Sequence, residues 1–348
     1  MARKPKKYTF QTLQLDSFSK THLMRFVRDW STKRVSVVGD LGIDRYTQGV
    51  VERISPEAPV PVVLVQSETL KLGLGANVAD NLQALQAIPQ LIGVVGRDRG
   101  AADLRALLKA ANISARHLVA DAARRTVLKE RVVSEQQQLL RIDYESGHAI
   151  SKQVEAQLIQ KFKKACGSSD AVIIEDYAKG TISERIIQVM IGLSRKAGQV
   201  VAIDPNMRTP VHYYEGASLL TPNTQEAEYL SGIQIEDAES LVAAGICLLD
   251  AVKAEHVVIT RGKEGMAIFT RGSSQVQLIP TYAQEVYDVS GAGDTVISVL
   301  VLALCAGANI QEACILGNLA AGVEVGKRGT ATVSPEEIEI ALNYFFGE

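Results

Sequence analysis

Apolar residues fall into two rhythms along this chain. Nearly unbroken apolar runs at Arg34–Val38, Leu91–Val95, Ala171–Glu175, Val200–Asp204, Leu219–Thr221 and His256–Thr260 predict buried strands. Between them, at Val78–Ala87, Ala101–Ala111, Lys152–Cys166, Ser183–Ala197, around Glu226–Leu230 and at Leu241–Ala254, the spacing predicts helices. Strand and helix alternating in this way build a doubly wound, mainly parallel sheet with helices on both faces, an α/β fold. Helices over Ala292–Ala306, Ile310–Val325 and Pro335–Phe345 close the chain, and spaced apolar positions over residues 9–33 predict a leading helix.

Other stretches stand outside the alternation. Val127–Val133 and Leu139–Asp143, joined through the polar turn Ser134–Gln137, predict a hairpin apart from the main sheet, while Met266–Thr270 and Gln275–Pro280 predict antiparallel additions near its edge. Arg53-Ile-Ser-Pro-Glu-Ala-Pro-Val-Pro61 carries three prolines in six residues, which rules out a helix or a central strand. A segment so stiffened is either a lid over a pocket or a rigid surface connector. No repeat and no flexible linker divides the chain. The expected organisation is a tail and leading helix over 1–33, then one domain over 34–348 with a small β lid from about 45–70 and 125–143.

Composition narrows the function classes. The 348 residues are 47% apolar and 22% charged with a formal net charge of −2, which excludes the basic surface of a nucleic-acid or anionic-membrane binder. No apolar run approaches the ~18 residues of a bilayer span, and the basic start Met1–Tyr8 lacks the core of a secretory signal, so a cytoplasmic location is expected. Cys166, Cys247, Cys305 and Cys314 lie in apolar helical patterns, as buried free thiols do, and the histidines show no metal-binding spacing.

The strongest chemical signal is Tyr287-Asp-Val-Ser-Gly-Ala-Gly-Asp294, running straight into an apolar helix. Small residues at 290–293 allow successive N–H groups to face one cavity, and the helix adds its positive end, a setting for a phosphoryl group. Asp294 beside such a site can take a proton from an attacking hydroxyl. A plain helix cap with an acidic first turn would look the same.

Other polar groups sit at strand ends, where open α/β sheets gather ligands. Gly39-Asp40 follows the first strand, and Asp40 and Asp44 serve either a ligand or a turn. Leu72-Gly-Leu-Gly-Ala-Asn77 precedes a helix, with Asn77 able to donate and accept as sugar hydroxyls require. Glu175–Gly180, Asp204–Arg208 and Thr221–Glu226 end further strands. Asn223 and Glu226, three apart, either hold water around Mg2+ or form a cap. Thr260-Arg-Gly262-Lys-Glu-Gly265 is either a hairpin turn or the wall of a nucleotide site. Walker and dinucleotide signatures both fail: Gly322–Lys327 has the wrong spacing, and Val296 stands where the third glycine of a dinucleotide fingerprint belongs.

With these segments in order, the chain from about residue 33 resembles the ribokinase-like carbohydrate kinases, through Asp288-Val-Ser-Gly-Ala-Gly-Asp294 and Gly73-Leu-Gly-Ala-Asn77. Within that family it is most similar to the bacterial D-glycero-β-D-manno-heptose 7-phosphate kinases. The resemblance lies in Gly39–Tyr46, Arg53–Pro61, Gln137–Asp143, Asp176–Gly180, Asn318–Lys327, Gly329-Thr330 and Val333–Pro335. It implies a ribokinase-like fold with a β lid, ATP and Mg2+ as cofactors, and transfer of phosphate to the anomeric hydroxyl of heptose 7-phosphate, a step towards ADP-heptose for lipopolysaccharide. Asp294 would be the base, and Gly291, Ala292 and Gly293 the phosphoryl hole. Asp40, Asp44, Gly73 and Asn77 would bind the sugar, with Arg45, Arg141 and Lys179 for its phosphate or the transferring charge. Asn223, Glu226, Thr260, Gly262 and Asn318 would hold the nucleotide, Glu226 reaching Mg2+ through water. The resemblance also implies a homodimer through the lid and, since many relatives carry a second, nucleotidyltransferase domain, the kinase half alone. One departure is Leu74, where these kinases carry a second glycine.

Overall fold

The computed structural model describes residues 8–134, 137–327 and 329–347. In chain order, β1 (Thr9–Thr12) and α1 (Lys20–Arg28) lead into β2 (Arg34–Ile54), β3 (Pro61–Leu74), α2 (Gly75–Ala84), β4 (Ile88–Val95), α3 (Arg99–Ala110) and β5 (Leu118–Ala120). Next come β6 (Val127–Ser134), β7 (Gln137–Tyr144), α4 (Lys152–Cys166), β8 (Ala171–Glu175), α5 (Glu184–Lys196), β9 (Val200–Asp204) and β10 (Leu219–Leu220). The chain ends through α6 (Thr224–Ser231), α7 (Ala238–Val252), β11 (His256–Thr260), β12 (Met266–Thr270), β13 (Gln275–Ile279), α8 (Ala292–Cys305), α9 (Ile310–Val325) and α10 (Pro335–Phe346).

The main sheet runs β1-β13-β12-β11-β10-β9-β8-β2-β4-β5. Every pairing from β11 to β5 is parallel, and the antiparallel pairings are β11–β12 and β12–β13, the edge additions that the sequence pattern predicts. Period-two alternation explains why both faces are covered. On β8, Ile173 packs into the core under α1, α2, α8 and α9, while Val172 and Ile174 pack into the core under α4, α5 and α7.

A second sheet stands on the first. β2 leaves the main sheet after Asp40, its last partner there being Val94 of β4, and continues between antiparallel β3 and parallel β6, with β7 outside β6. The proline-rich residues 55–60 join β2 to β3. The turn expected over Ser134–Gln137 includes positions 135 and 136, which lie outside the described residues.

Two expectations change. The leading helix over 9–33 is confined to Lys20–Arg28, capped by Ser19, because Thr9–Thr12 instead adds in parallel to the edge strand β13. That partner lies far along the chain, so local spacing carries no sign of it. The helix expected from Val78 begins at Gly75, since Gly75 and Ala76 are helical and Leu74 takes the turn. All four cysteines are free, with Cys166 and Cys314 buried. No helix among the described residues is long and apolar enough to cross a membrane.

Candidate active site

The start of α8 is not the side-chain cap that residues 290–294 could also have formed. Its N-cap is Gly291, at φ 102°, and no side chain caps the helix. The left-handed backbone favours glycine there, and a Cβ would crowd Asn77 Nδ2 at 3.2 Å. The first N–H groups of α8 therefore keep the helix's positive end available to a ligand, and Ala292 and Gly293 line a neighbouring cavity. At α6 the capping alternative is the one found. Asn223 accepts the Glu226 N–H at 3.0 Å, and Glu226 Oε2 accepts the Asn223 N–H at 2.9 Å, a complete capping box.

Asp294 is the third residue of α8 and is buried. Asn77 Nδ2 donates to its Oδ2 at 2.6 Å, and the Tyr177 hydroxyl donates to its Oδ1 at 2.9 Å. Burial raises its pKa to about 6, against these two donors, which favour the charged form. A carboxylate so tuned is ionised at neutral pH yet basic enough to accept a proton.

Two further carboxylates face it. Oxygens of Glu175, Asp204 and Asp294 all lie within 4.8 Å of one another. Glu175 ends β8 and Asp204 ends β9, and the two are register partners. Glu175 is fully buried, and neither of its oxygens has a hydrogen-bond partner. Burial, reinforced by Asp204 and Asp294, holds its pKa well above the usual carboxylate range. Burial and the neighbouring Glu226 do the same to Asp204. Hard carboxylate oxygens gathered around one point, those of Glu175 without any hydrogen-bond partner, are the donor set that a divalent cation such as Mg2+ takes.

On the other side of Gly293 lies a cavity of about 420 Å³, within the range of small-molecule sites. Thr260, Gly262 and Asn318 line it together with Ala292 and Gly293. Asn318 also fixes the chain beside the cavity, accepting the Tyr282 N–H at 3.1 Å and donating to the Pro280 carbonyl at 3.2 Å.

Of the sugar-side residues, Asn77 touches Asp294, whereas Asp40 is engaged by the chain itself. Its carboxylate accepts N–H groups of Tyr177, Lys179 and Thr181 at 3.2, 2.9 and 3.1 Å, fixing the loop that carries Tyr177. Asp44 is buried and accepts from Arg131 Nη1 at 2.5 Å, and a Cβ on Gly73 would lie 2.8 Å from its Oδ2. Lys179 pairs with Glu145 at 2.6 Å. Arg45 is not brought to this group. One residue along β2 from Asp44, it points to the opposite face and pairs with Asp103 and Glu130 at 4.0 and 3.8 Å. Arg141 is exposed and bound bidentately by Asp143 at 2.9 and 3.0 Å. Sequence reasoning missed the parts played by Tyr177, Glu175 and Asp204. The strand ends at 175 and 204 were the available signal, but only the β8–β9 register makes neighbours of them.

Residues 32–337 match the pfkB family of carbohydrate kinases. The chain belongs to that family. This kinase is 45% identical over 315 residues to the bifunctional protein HldE of Methylococcus capsulatus, a match covering 90% of the chain and 65% of that protein. It is 43% identical over 312 residues to HldE of Geobacter sulfurreducens, covering 90% and 63%. The chain thus spans just under two thirds of the length of these relatives. Its fold is similar to that of Arabidopsis thaliana ribokinase complexed with ribose and ATP, with TM-score 0.71 and 19% identity over 89% of this chain and 98% of that one. Phosphofructokinase-2 from Escherichia coli gives TM-score 0.73 and 18% identity over 90% and 99%. The kinase therefore has the ribokinase-like fold, and its family implies that it phosphorylates a sugar with ATP.

Proposed function

We propose that this kinase transfers the γ-phosphoryl group of ATP to the anomeric 1-hydroxyl of D-glycero-β-D-manno-heptose 7-phosphate, giving heptose 1,7-bisphosphate and ADP on the way to ADP-heptose. The observation that carries the chemistry is the pairing of Asp294 with the uncapped start of α8. Asp294 accepts the hydroxyl proton, the freed oxygen attacks the γ-phosphorus, and the bond to the ADP oxygen breaks. N–H groups at 291–293 stabilise the negative charge on the transferring group. Asn77 and Tyr177 orient the base, and the loop held by Asp40 keeps Tyr177 in position. Glu175 and Asp204, with Glu226 beside them, would hold Mg2+, which when bound neutralises phosphate charge. The cavity lined by Thr260, Gly262 and Asn318 takes the nucleotide.

The choice of sugar rests on the resemblance at Arg53–Pro61 and on the HldE relatives. The second sheet acts as the lid, and the exposed apolar residues Ile54, Val65 and Leu140, which the register places on one face of it, form the contact of a homodimer. The test is ADP release with heptose 7-phosphate, ribose and fructose 6-phosphate in parallel, with Asp294→Asn as control. Heptose 7-phosphate is the expected best substrate, and Asp294→Asn is expected to lose at least about 10³-fold in kcat. Preference for ribose would sink the sugar assignment, and an undiminished Asp294→Asn enzyme the mechanism.

A further inference from the structure

Across the second sheet, the strand register aligns Lys71, Asp44, Lys129 and Asp143 in one row, and Thr69, Tyr46, Arg131 and Arg141 in the next. Positions two apart on a strand share a face, so both rows lie on the same side. Contacts show which way it looks. Lys71 Nζ donates to the Thr330 carbonyl, and Lys129 Nζ lies 5.6 Å from the centroid of the Tyr177 ring. That ring's hydroxyl is bonded to Asp294. The face therefore overlooks the base, with one aromatic ring between Lys129 and the Asp294 carboxylate.

Three cations around this face form ion pairs: Arg131 on Asp44 at 2.5 Å, Arg141 on Asp143 at 2.9 Å and Lys179 on Glu145 at 2.6 Å. Lys129 has none. Among the described residues it makes no ion pair, although it is half-buried. Burial lowers its pKa, Asp44 opposes that, and Lys179, Arg131 and Arg141 lower it further. A half-buried ammonium repelled by three cations is poorly solvated and unmatched. A phosphate dianion would supply the missing charge, with three oxygens to share among several donors.

We propose that Lys129, with Arg131 and Lys179, recognises a phosphate monoester at the far end of the acceptor sugar. This rests on Asp294 being the base and deepens that reading, but it does not require the sugar to be a heptose. The site would select sugars that another kinase, or another phosphate-adding reaction, has already phosphorylated at the end opposite the attacking hydroxyl.

The test compares the wild type, Lys129→Met and Lys129→Arg on two substrate pairs: heptose 7-phosphate against heptose, and fructose 6-phosphate against fructose. The readout is preference, the ratio of kcat/KM for the phosphorylated member to that for the unphosphorylated one. Lys129→Met is expected to reduce preference about 30-fold, as loss of a charged hydrogen bond does, and Lys129→Arg to restore most of it. Calorimetric titration with the preferred sugar phosphate, without ATP, should show the same weakening. Preference kept within about threefold, or equal losses on both members of a pair, overturns the proposal. Should Lys129→Met fail to fold, Lys129→Gln takes its place under the same criteria. A wild type that ignores heptose 7-phosphate but shows a Lys129-dependent preference for fructose 6-phosphate would refute the heptose assignment and uphold this site.

Discussion

Asn77 Nδ2 and Asp294 Oδ2 lie 2.6 Å apart, joining residues 217 positions distant in the chain. Each is the third residue of its helix, so the starts of α2 and α8 meet at the base. The contact has a consequence in pH. Burial raises Asp294 to about 6, and the base works only when ionised. kcat/KM should therefore rise with pH below about 6 and level off above about 7. Asn77→Ala and Tyr177→Phe each remove a donor that favours the charged form, so both should move the acid limb to higher pH. A limb that stays in place in both variants would refute this account.

Glu175 is the next test. Its pKa is raised in the fold, so its contribution to stability is full below the ordinary carboxylate pKa and is lost as pH rises towards the folded value. The metal-free protein should accordingly lose melting temperature as pH rises above the ordinary carboxylate range, more steeply than Glu175→Gln, and Mg2+ should offset the loss only in the wild type. Glu175→Gln should also raise the Mg2+ concentration for half-maximal activity about 10-fold. Parallel melting curves and an unchanged Mg2+ requirement would remove Glu175 from the metal site.

Leu74 holds φ 56° and ψ −142°, a conformation suited to glycine, while its side chain is buried. Leu74→Ala should cost about 2–3 kcal/mol through lost packing and keep the strain. Leu74→Gly loses the same packing but relieves about 1–2 kcal/mol of strain, and should melt above the alanine variant. The reverse order in calorimetry would show that the backbone there is not strained.

The homodimer contact is checked by sedimentation. Val65 and Leu140 are 54% and 55% exposed on one face of the second sheet. Val65→Glu with Leu140→Glu should shift the kinase to monomer with little change in melting temperature, since neither side chain is in a core. A wild type that sediments as a monomer at micromolar concentration would discard the contact.

The sheet was legible because its strands are buried on both faces and read as unbroken apolar runs, β8 and β11 most plainly. The uncapped start of α8 was not, since Ser290 and Asp294 are equally good capping residues on paper and only geometry shows that neither caps the helix. Arg45 stood as a phosphate candidate through the resemblance, yet adjacent strand residues face opposite ways and it does not share the face of Asp44. The same parity, applied to Lys129 and Arg131 on β6, would have brought both forward as a pair on one face. Glu175 and Asp204 needed the register of two strands, which no local pattern encodes.

β2 belongs to both sheets without interruption, and its changeover falls at residues 40–42, where three N–H groups clamp Asp40. The second sheet is thus the long arm of a lever whose short arm is welded into the core. Tilting it swings Asp44, and Lys129 on the neighbouring strand, through an arc about the anchored loop that bears Tyr177. On the proposed role of this sheet as a lid, closing over a sugar carries Lys129 and Arg131 towards the base, with the pivot set beside the chemistry.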